Sequence, residues 1–390
     1  MEVTRIIHPV GQGGFYTETL REEGTRINVV YDCGGFLPTS GRMNKYLKCF
    51  IPKHIEAVFI SHFHADHING LQYLLENAEV NYLFLPQVTE NILLETLVHN
   101  LFKTNTYSRV NSFIMSLFSG KLRLKGKKTK IIKVSYANVT NNIPKEFPAN
   151  NSSDNPMSLK AWDTYSNTAV NLSNKDTISA GTILYYKNWL YIPFNSIVPS
   201  EKLDELMKAF TSELGGMITM ENVAERIKEM GVEKCKKIYG KIFANQHNSY
   251  SMTLFSGTLE KALGCRCKGL PECESYHHCD GFDPHRYCCN PNFLYTGDFE
   301  PKKNIGCMRN FYDKYWEQIA SIQIPHHGSV NNYDPQLYEY PVRGIVSVGN
   351  DNIYHHPDID TLVKIQSEGC RPVIVTEDIS SMKIYQYEID

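Results

Sequence analysis

Residues 55–70 read IEAVFISHFHADHING. The first six form a short apolar run with β-branched and aromatic side chains, the pattern of a buried strand. It runs through Ser61 into His62, His64, Asp66 and His67, four ligand-type side chains within six positions. A strand end followed by a loop brings such side chains together at one edge of a sheet. His62 and His64 are two apart and can share one face. Asp66 and His67 follow after the chain turns and can serve a second ion. Imidazole and carboxylate suit zinc, manganese or iron. Two such ions close together can bind and activate a bridging water. Incidental histidines in a polar loop would not account for this ligand density straight after an apolar strand. Beyond the cluster, Ile68, Leu71, Leu74 and Leu75 recur at helical spacing, which predicts a helix over 66–77.

Upstream, segments 4–9, 16–20 and 26–32 read as strands, with Gly11, Gly13, Gly14, Gly34 and Gly35 marking tight turns. Downstream, the pattern predicts a helical stretch over 88–118, a strand at 130–136 and a long Asn/Pro/Ser-rich loop at 138–156. A hairpin over 181–194 turns at Lys187-Asn188, and amphipathic helices follow at 199–213 and 220–230. Strands return at 249–255, 293–296, 321–325, 343–348, 372–375 and 382–387. Two similar halves of strands with interspersed helices predict a two-sheet α/β sandwich flanked by helices. No fixed short period repeats along the chain.

The 390 residues are 42% hydrophobic and 12% aromatic, enough for a sizeable core. The formal net charge of -2 offers no global electrostatic argument for nucleic acid or a membrane surface. No apolar run reaches the ~18 residues of a membrane span. Residues 1–10, MEVTRIIHPV, do not have the pattern of a secretory signal, so a cytoplasmic location is expected. Six of the eleven cysteines fall between Cys265 and Cys289. In such a context this clustering favours metal over disulfides.

HFHADH resembles the HxHxDH signature of the metallo-β-lactamase superfamily, and further matches follow in chain order. Asp32 in VVYDCGG resembles the aspartate that ends an early strand. Asp298 in FLYTGDFE resembles the TGD motif, and His326 and His327 in IPHHGS resemble the late histidine motif. The subgroup most similar is the ComEC/Rec2-like hydrolases. Val10-Gly11-Gln12-Gly13 stands in the place of their VGQG, and PHHGS matches at 325–329. SVGNDNIYHHPD, residues 347–358, matches their SVG segment with His355 in place of a glycine. The likeness runs from about residue 6 to 385, broken by insertions. No membrane channel region accompanies it, so a DNA-translocation role does not carry over.

The resemblance implies a metallo-β-lactamase αββα sandwich over 1–390. Its insertions would lie at 88–178 with a basic run, at 195–240 as helices, and at 264–291 as a Cys/His-rich segment. It implies a centre of two divalent metals, zinc or manganese, with ligands from His62, His64, Asp66, His67, His247, Asp298, His326 and His327. Asp32 would orient a metal-binding histidine. Asp66, Asp298 and His356 are the catalytic candidates. Asp298 would bridge the ions and hold a hydroxide between them, and His356 would contact substrate or protonate the leaving group. Two points stay open. His247 has the H-x-x-x-S spacing of a third ligand motif, yet relatives often carry an asparagine that aligns with Asn248. Which of His326 and His327 binds metal is also open.

A phosphodiesterase or nuclease is the favoured activity. The alternatives are a hydrolase of a small ester, lactone or thioester, or a partner-dependent component of a multi-protein system such as phage defence. Asp298 in the bridging position disfavours a β-lactamase. Cys265, Cys267, Cys273, His277, His278, Cys279, His285, Cys288 and Cys289 are candidates for an additional structural zinc, because their segment has little apolar content to fold on. The run KLRLKGKKTK at 121–130, with Arg109 and Lys133 nearby, could touch a phosphate backbone, although most such runs are solvated surface. Phe113, Phe118 and Tyr136 read as core. Cys33, Cys49, Cys235, Cys307 and Cys370 read as buried small residues. His8, His54 and His99 belong to no constellation.

Overall fold

Alternation along two neighbouring strands sets the layers. Val29 and Tyr31 point to one side of their sheet with Ala57 and Phe59, while Val30, Val58 and Ile60 point to the other, and all are buried. A strand buried on both faces needs cover on both, here a second sheet and a helical layer. The computed structural model describes residues 1–36, 42–104, 108–119, 122, 129–137, 158–196, 200–243, 250–259, 262–268, 277–278, 290–350, 352 and 355–389.

Strands β1 (Glu2–Ile7), β2 (Phe15–Glu22) and β3 (Thr25–Cys33) form an antiparallel meander. Helix α1 (Arg42–Phe50) returns the chain to β4 (His54–Phe59), parallel to β3. Helices α2 (Ala65–Ile68) and α3 (Leu71–Asn77) lead to parallel β5 (Glu79–Pro86). Helices α4 (Glu90–Thr104) and α5 (Arg109–Phe118) lead to parallel β6 (Lys130–Val134). After β7 (Lys160–Asp163), β8 (Thr168–Ala169) and β9 (Thr177–Ile178), the hairpin of β10 (Thr182–Tyr186) and β11 (Trp189–Phe194) turns at Lys187 with φ +50°. Helices α6 (Glu201–Leu214), α7 (Val223–Met230) and α8 (Val232–Phe243) come next, then β12 (Thr253–Gly257), β13 (Ala262–Lys268), β14 (His277–His278) and β15 (Phe293–Tyr295). The chain ends with α9 (Pro301–Trp316), β16 (Ser321–Gln323), β17 (Arg343–Ser347), α10 (Ile359–Ser367), β18 (Arg371–Val375) and β19 (Lys383–Ile389).

One sheet runs β14-β13-β19-β1-β2-β3-β4-β5-β6-β9 and the other β18-β17-β16-β15-β12-β11-β10-β7-β8. Each combines an antiparallel part with a parallel run, β3 to β6 in the first and β15 to β18 in the second. Between the sheets lie Tyr16, Phe59, Phe84, Trp189, Tyr191 and Leu254 among others. The outer face of the first sheet packs against Leu71, Leu74, Leu94, Leu97, Leu206 and Tyr239 of the helices. Residues Met308, Tyr312 and Tyr315 of α9 join the core of the second sheet, with Tyr315 5.0 Å from Phe255 between ring centres. This is the αββα sandwich of the metallo-β-lactamase fold.

The helix predicted over 66–77 is two helices. Asn69 leaves the helical run because its side chain bonds Gly35 on both sides, donating to the carbonyl at 2.8 Å and accepting from the amide at 3.1 Å. Gly70 then donates to the Cys33 carbonyl at 2.9 Å. The stretch predicted at 88–118 is likewise two helices, the second capped by Ser108. Helix α8 starts one residue past Gly231, whose φ of +80° ends α7. It falls largely within the 195–240 helical stretch but was not read as a separate helix, and α9 and α10 were not predicted. The Cys/His-rich segment is more than a loop: β13 pairs with β19 and extends the first sheet. The 138–156 loop lies outside the described residues. Cys49 is exposed, against the expectation of burial, whereas Cys33, Cys235 and Cys370 are buried.

Candidate metal centre

Parallel strands end where the next helix must begin, and their carboxyl ends leave a crevice for side chains from several loops. Asp32 ends β3, His62 follows β4, Asp298 follows β15, and His326 and His327 follow β16. Backbone crowding there demands glycine. A Cβ on Gly13 would come within 2.2 Å of the Asp66 carbonyl oxygen, and one on Gly34 within 2.5 Å of the same atom. Asp32, His326, His327 and His355 all have left-handed backbones. Such conformations cost of order 1 kcal/mol or more each and persist where the surroundings over-determine them. At His326 part of that hold is its amide, which donates to the Gly297 carbonyl at 3.1 Å.

Asp298 sits at the middle. Its Oδ2 faces His62 Nε2 at 3.4 Å, His64 Nδ1 at 3.8 Å and His326 Nε2 at 3.9 Å. Its Oδ1 faces His67 Nε2 at 3.2 Å and His327 Nε2 at 3.8 Å, and His327 Nε2 lies 3.5 Å from Asp66 Oδ2. Two ligand groups result, His62–His64–Asp298 and Asp66–His67–His327. Each oxygen of one carboxylate therefore looks into a different group. The turn that carries Asp298 is held by Gln323, whose Oε1 accepts from the amides of Thr296 at 3.1 Å and Gly297 at 3.0 Å. The Asp298 amide donates to Ser251 Oγ at 2.9 Å.

Three of the histidines are gripped by the nitrogen that faces away from the centre. His67 Nδ1 lies 2.8 Å from Asp32 Oδ2, and Asp32 also accepts from the Ser61 amide at 2.7 Å and hydroxyl at 2.8 Å. His327 Nδ1 donates to the Ser347 carbonyl at 2.8 Å. His62 Nδ1 lies 2.9 Å from Ser61 Oγ and 3.2 Å from Ser251 Oγ. Holding one nitrogen fixes the ring and leaves the other free to act as ligand.

Four buried atoms in this cluster have no hydrogen-bond partner among the described residues: His62 Nε2, His67 Nε2, Asp298 Oδ1 and His327 Nε2. Buried polar atoms are ordinarily paired, since leaving one unpaired costs ~1–3 kcal/mol. Imidazole nitrogens and carboxylate oxygens with no thiolate among them fit divalent cations of the zinc or manganese kind. Without a cation the charges lean on one another. Burial pushes His62 down to about 3. Burial also opposes a charge on His64, but Asp298 and Glu95 carry it up to about 9. Burial likewise opposes a charge on His67, but Asp298 and Asp32 raise it well above the ordinary imidazole value. Burial works to raise Asp298, but His326, His62 and His67 hold it well below the carboxylate range.

His356 lies at the rim, its ring 5.9 Å from that of His326. Burial, with His326 and His327 close by, lowers it to about 4. His247 lies outside the described residues. Of the zinc candidates, Cys273, Cys279, His285, Cys288 and Cys289 lie outside them as well. For the other four only the backbone is described: Cys265 and Cys267 lie on β13, and His277 pairs with Cys265 across β14. Within the basic run, Leu122, Thr129 and Lys130 are described, and Lys130 pairs with Asp176 at 2.6 Å.

Sequence reading missed several residues around the cluster. Ser61 and Ser251 were passed over, although Ser61 directly precedes His62. His99, expected to stand apart, has its ring stacked on His64 with centres 4.0 Å apart. Glu95, one helical turn from His99, has Oε2 3.7 Å from His64 Nε2. A carboxylate and an imidazole at i and i+4 in the apolar stretch NILLETLVHNLF were the available signal.

The family model described as "Metallo-beta-lactamase superfamily" matches residues 21–83, a span that includes Asp32 and the whole His62–His67 cluster. No curated protein matches the chain. Among solved structures, the metallo-beta-lactamase fold protein YhfI from Bacillus subtilis is similar at 8% identity with a TM-score of 0.38, over 99% of this chain and 100% of that one. So distant a likeness carries no argument about activity.

Proposed function

We propose that the chain is a two-metal hydrolase and that its substrates are phosphodiesters. The observation that carries the two-ion reading is the Asp298 carboxylate, with one oxygen toward His62, His64 and His326 and the other toward His67 and His327. On this reading both late histidines serve the centre, His327 on the Asp66 side and His326 on the His62 side. Divalent ions there would supply Lewis acidity and an activated water. The chain's residues hold that chemistry in place: Asp32, Ser61, Ser251 and Ser347 orient the histidines, and His356 stands at the rim where substrate would enter. Preference for a phosphodiester is supported by the likeness of VGQG, PHHGS and the 347–358 segment to ComEC/Rec2-like hydrolases. An all-oxygen-and-nitrogen ligand set agrees with it.

The test pairs elemental metal analysis with turnover of bis-p-nitrophenyl phosphate, single-stranded DNA and a panel of small esters and lactones, after manganese or zinc repletion. Phosphodiester cleavage that is lost in His64→Ala is the expected result. Turnover of esters or lactones alone would replace the substrate assignment. No metal after repletion would overturn the two-ion reading. A third equivalent of zinc, removed by Cys279→Ser with a fall in melting temperature, is expected for the Cys/His-rich segment. Among the described residues, no helix is long and apolar enough to cross a membrane.

A further inference from the structure

His62, His67 and His327 each have an outward nitrogen gripped by a serine, a carboxylate or a carbonyl. The same demand applies to His64. Its Nδ1 faces Asp298, and its Nε2 points into the helical layer at Glu95, a carboxylate only 1% exposed. Burying a carboxylate there is costly unless something uses it. Glu95 Oε1 accepts from the Tyr239 hydroxyl of α8 at 2.7 Å, and that hydroxyl lies 3.2 Å from His99 Nδ1. His99 covers the face of the His64 ring at an interplanar angle of 16°. The backbone is clamped as well. Asn100 Oδ1 accepts from the Ala65 amide at 3.0 Å and its Nδ2 donates to the Phe63 carbonyl at 3.2 Å, one bond on each side of His64.

We infer that α4 is the positioning element of the His62–His64 half of the centre, and that Glu95 holds His64 in the tautomer that presents Nδ1. This rests on the two-ion reading. His64, Glu95 and His99 also offer three ligand atoms within 4.8 Å of one another. The stacked rings have nearly parallel planes, however, so one ion cannot lie in both, and a third ion site is the poorer account. At 3.7 Å the carboxylate stands just beyond a hydrogen bond from Nε2. The adjoining cavity of about 10 Å³, lined by His62, His64, Glu95, Thr96 and Tyr250, has room for about one water between them. Because Tyr239 belongs to α8, the grip on His64 extends into the helical layer.

Cobalt(II) titration of the metal-stripped full-length chain, followed by visible absorption and calorimetry, tests this. Glu95→Ala is expected to weaken one of two binding steps by roughly 10–100-fold and leave the other nearly unchanged. Glu95→Gln, which keeps an acceptor oxygen, should recover part of the loss. Tyr239→Phe should weaken the same step by less. These two milder variants carry the test if Glu95→Ala does not fold. Unchanged binding steps in Glu95→Gln and Tyr239→Phe, together with unchanged steps in a folded Glu95→Ala, would overturn the inference. So would equal weakening of both steps with a lowered melting temperature, the mark of a purely structural role. If the wild-type chain binds no cobalt, the two-ion reading falls and this inference with it. If it binds two and the variants match it, only this inference falls.

Discussion

Two of the charged clusters buried among the described residues are finished to different degrees. Between the sheets, Arg5 is fully buried beside Glu18. Arg5 Nε donates to Glu18 Oε1 at 2.7 Å, and its other nitrogens reach the carbonyls of Pro291 at 2.7 Å and Ser256 at 3.5 Å. Glu18 also accepts from the hydroxyls of Tyr295, Tyr191 and Ser256. Both Glu18 oxygens are used. Around Asp298, by contrast, four buried ligand atoms have no hydrogen-bond partner among the described residues. A polar cluster that satisfies itself is structural. One whose nitrogens are gripped from behind and left open in front is arranged for something that arrives from outside.

The sharpest way to break this comparison is to exchange the consequences. Asp298→Asn should lower turnover by on the order of 10³-fold, with loss of bound metal, while the metal-free protein stays folded. Kinetics with metal analysis and circular dichroism check it, and metal content equal to wild type would undo the bridging role. Glu18→Gln should do the reverse. Leaving Arg5 buried without its charge partner is expected to cost about 3–5 kcal/mol of stability, read from denaturant unfolding, with turnover per folded molecule intact.

Acid separates the clusters further. Burial works to raise Glu18, but Arg5, Ser256 and Tyr295 hold it below its ordinary value of 4.5. A depressed carboxylate contributes stability that is present above its unfolded value and lost as pH falls through the folded one. The Arg5–Glu18 contribution should therefore persist to about pH 4.5 and fade below it. Metal binding should respond much earlier. His64, carried up to about 9 in the metal-free state, must release its proton to become a ligand. Apparent metal affinity should fall as pH drops below about 9, and a titration at several pH values checks the slope. The smallest effect is expected of Ser61→Ala, which removes a hydroxyl shared by Asp32 and His62. About tenfold weaker metal binding with little change in unfolding free energy is expected there.

Much of this was legible along the chain. The apolar strand before His62 and the HFHADH spacing marked the buried His/Asp cluster, and the two halves of strands and helices marked the sandwich. What was illegible shares one physical cause. Arg5 reads as an ordinary charge on a strand of alternating residues, and Glu18 as another. Only the facing sheet supplies the Tyr191, Ser256 and Tyr295 hydroxyls that make their burial tolerable. Glu95 and His99 looked like two more polar residues on a helix with a strong apolar stripe, and nothing local says that the helix lies against His64. Helices α9 and α10 went unread because the partners for their apolar faces lie elsewhere in the chain.

By itself, then, the sequence determined which side chains could bind cations and which residues face a core, since ligand chemistry and the period of a strand or helix are local properties. Tertiary structure decided the rest: which nitrogen of each histidine faces inward, that Asp298 looks two ways, and that Glu95 stands behind His64. Those are relations between segments far apart in the chain. They are set by sheet register and by the packing of α4 on the sheet, and no single segment encodes them.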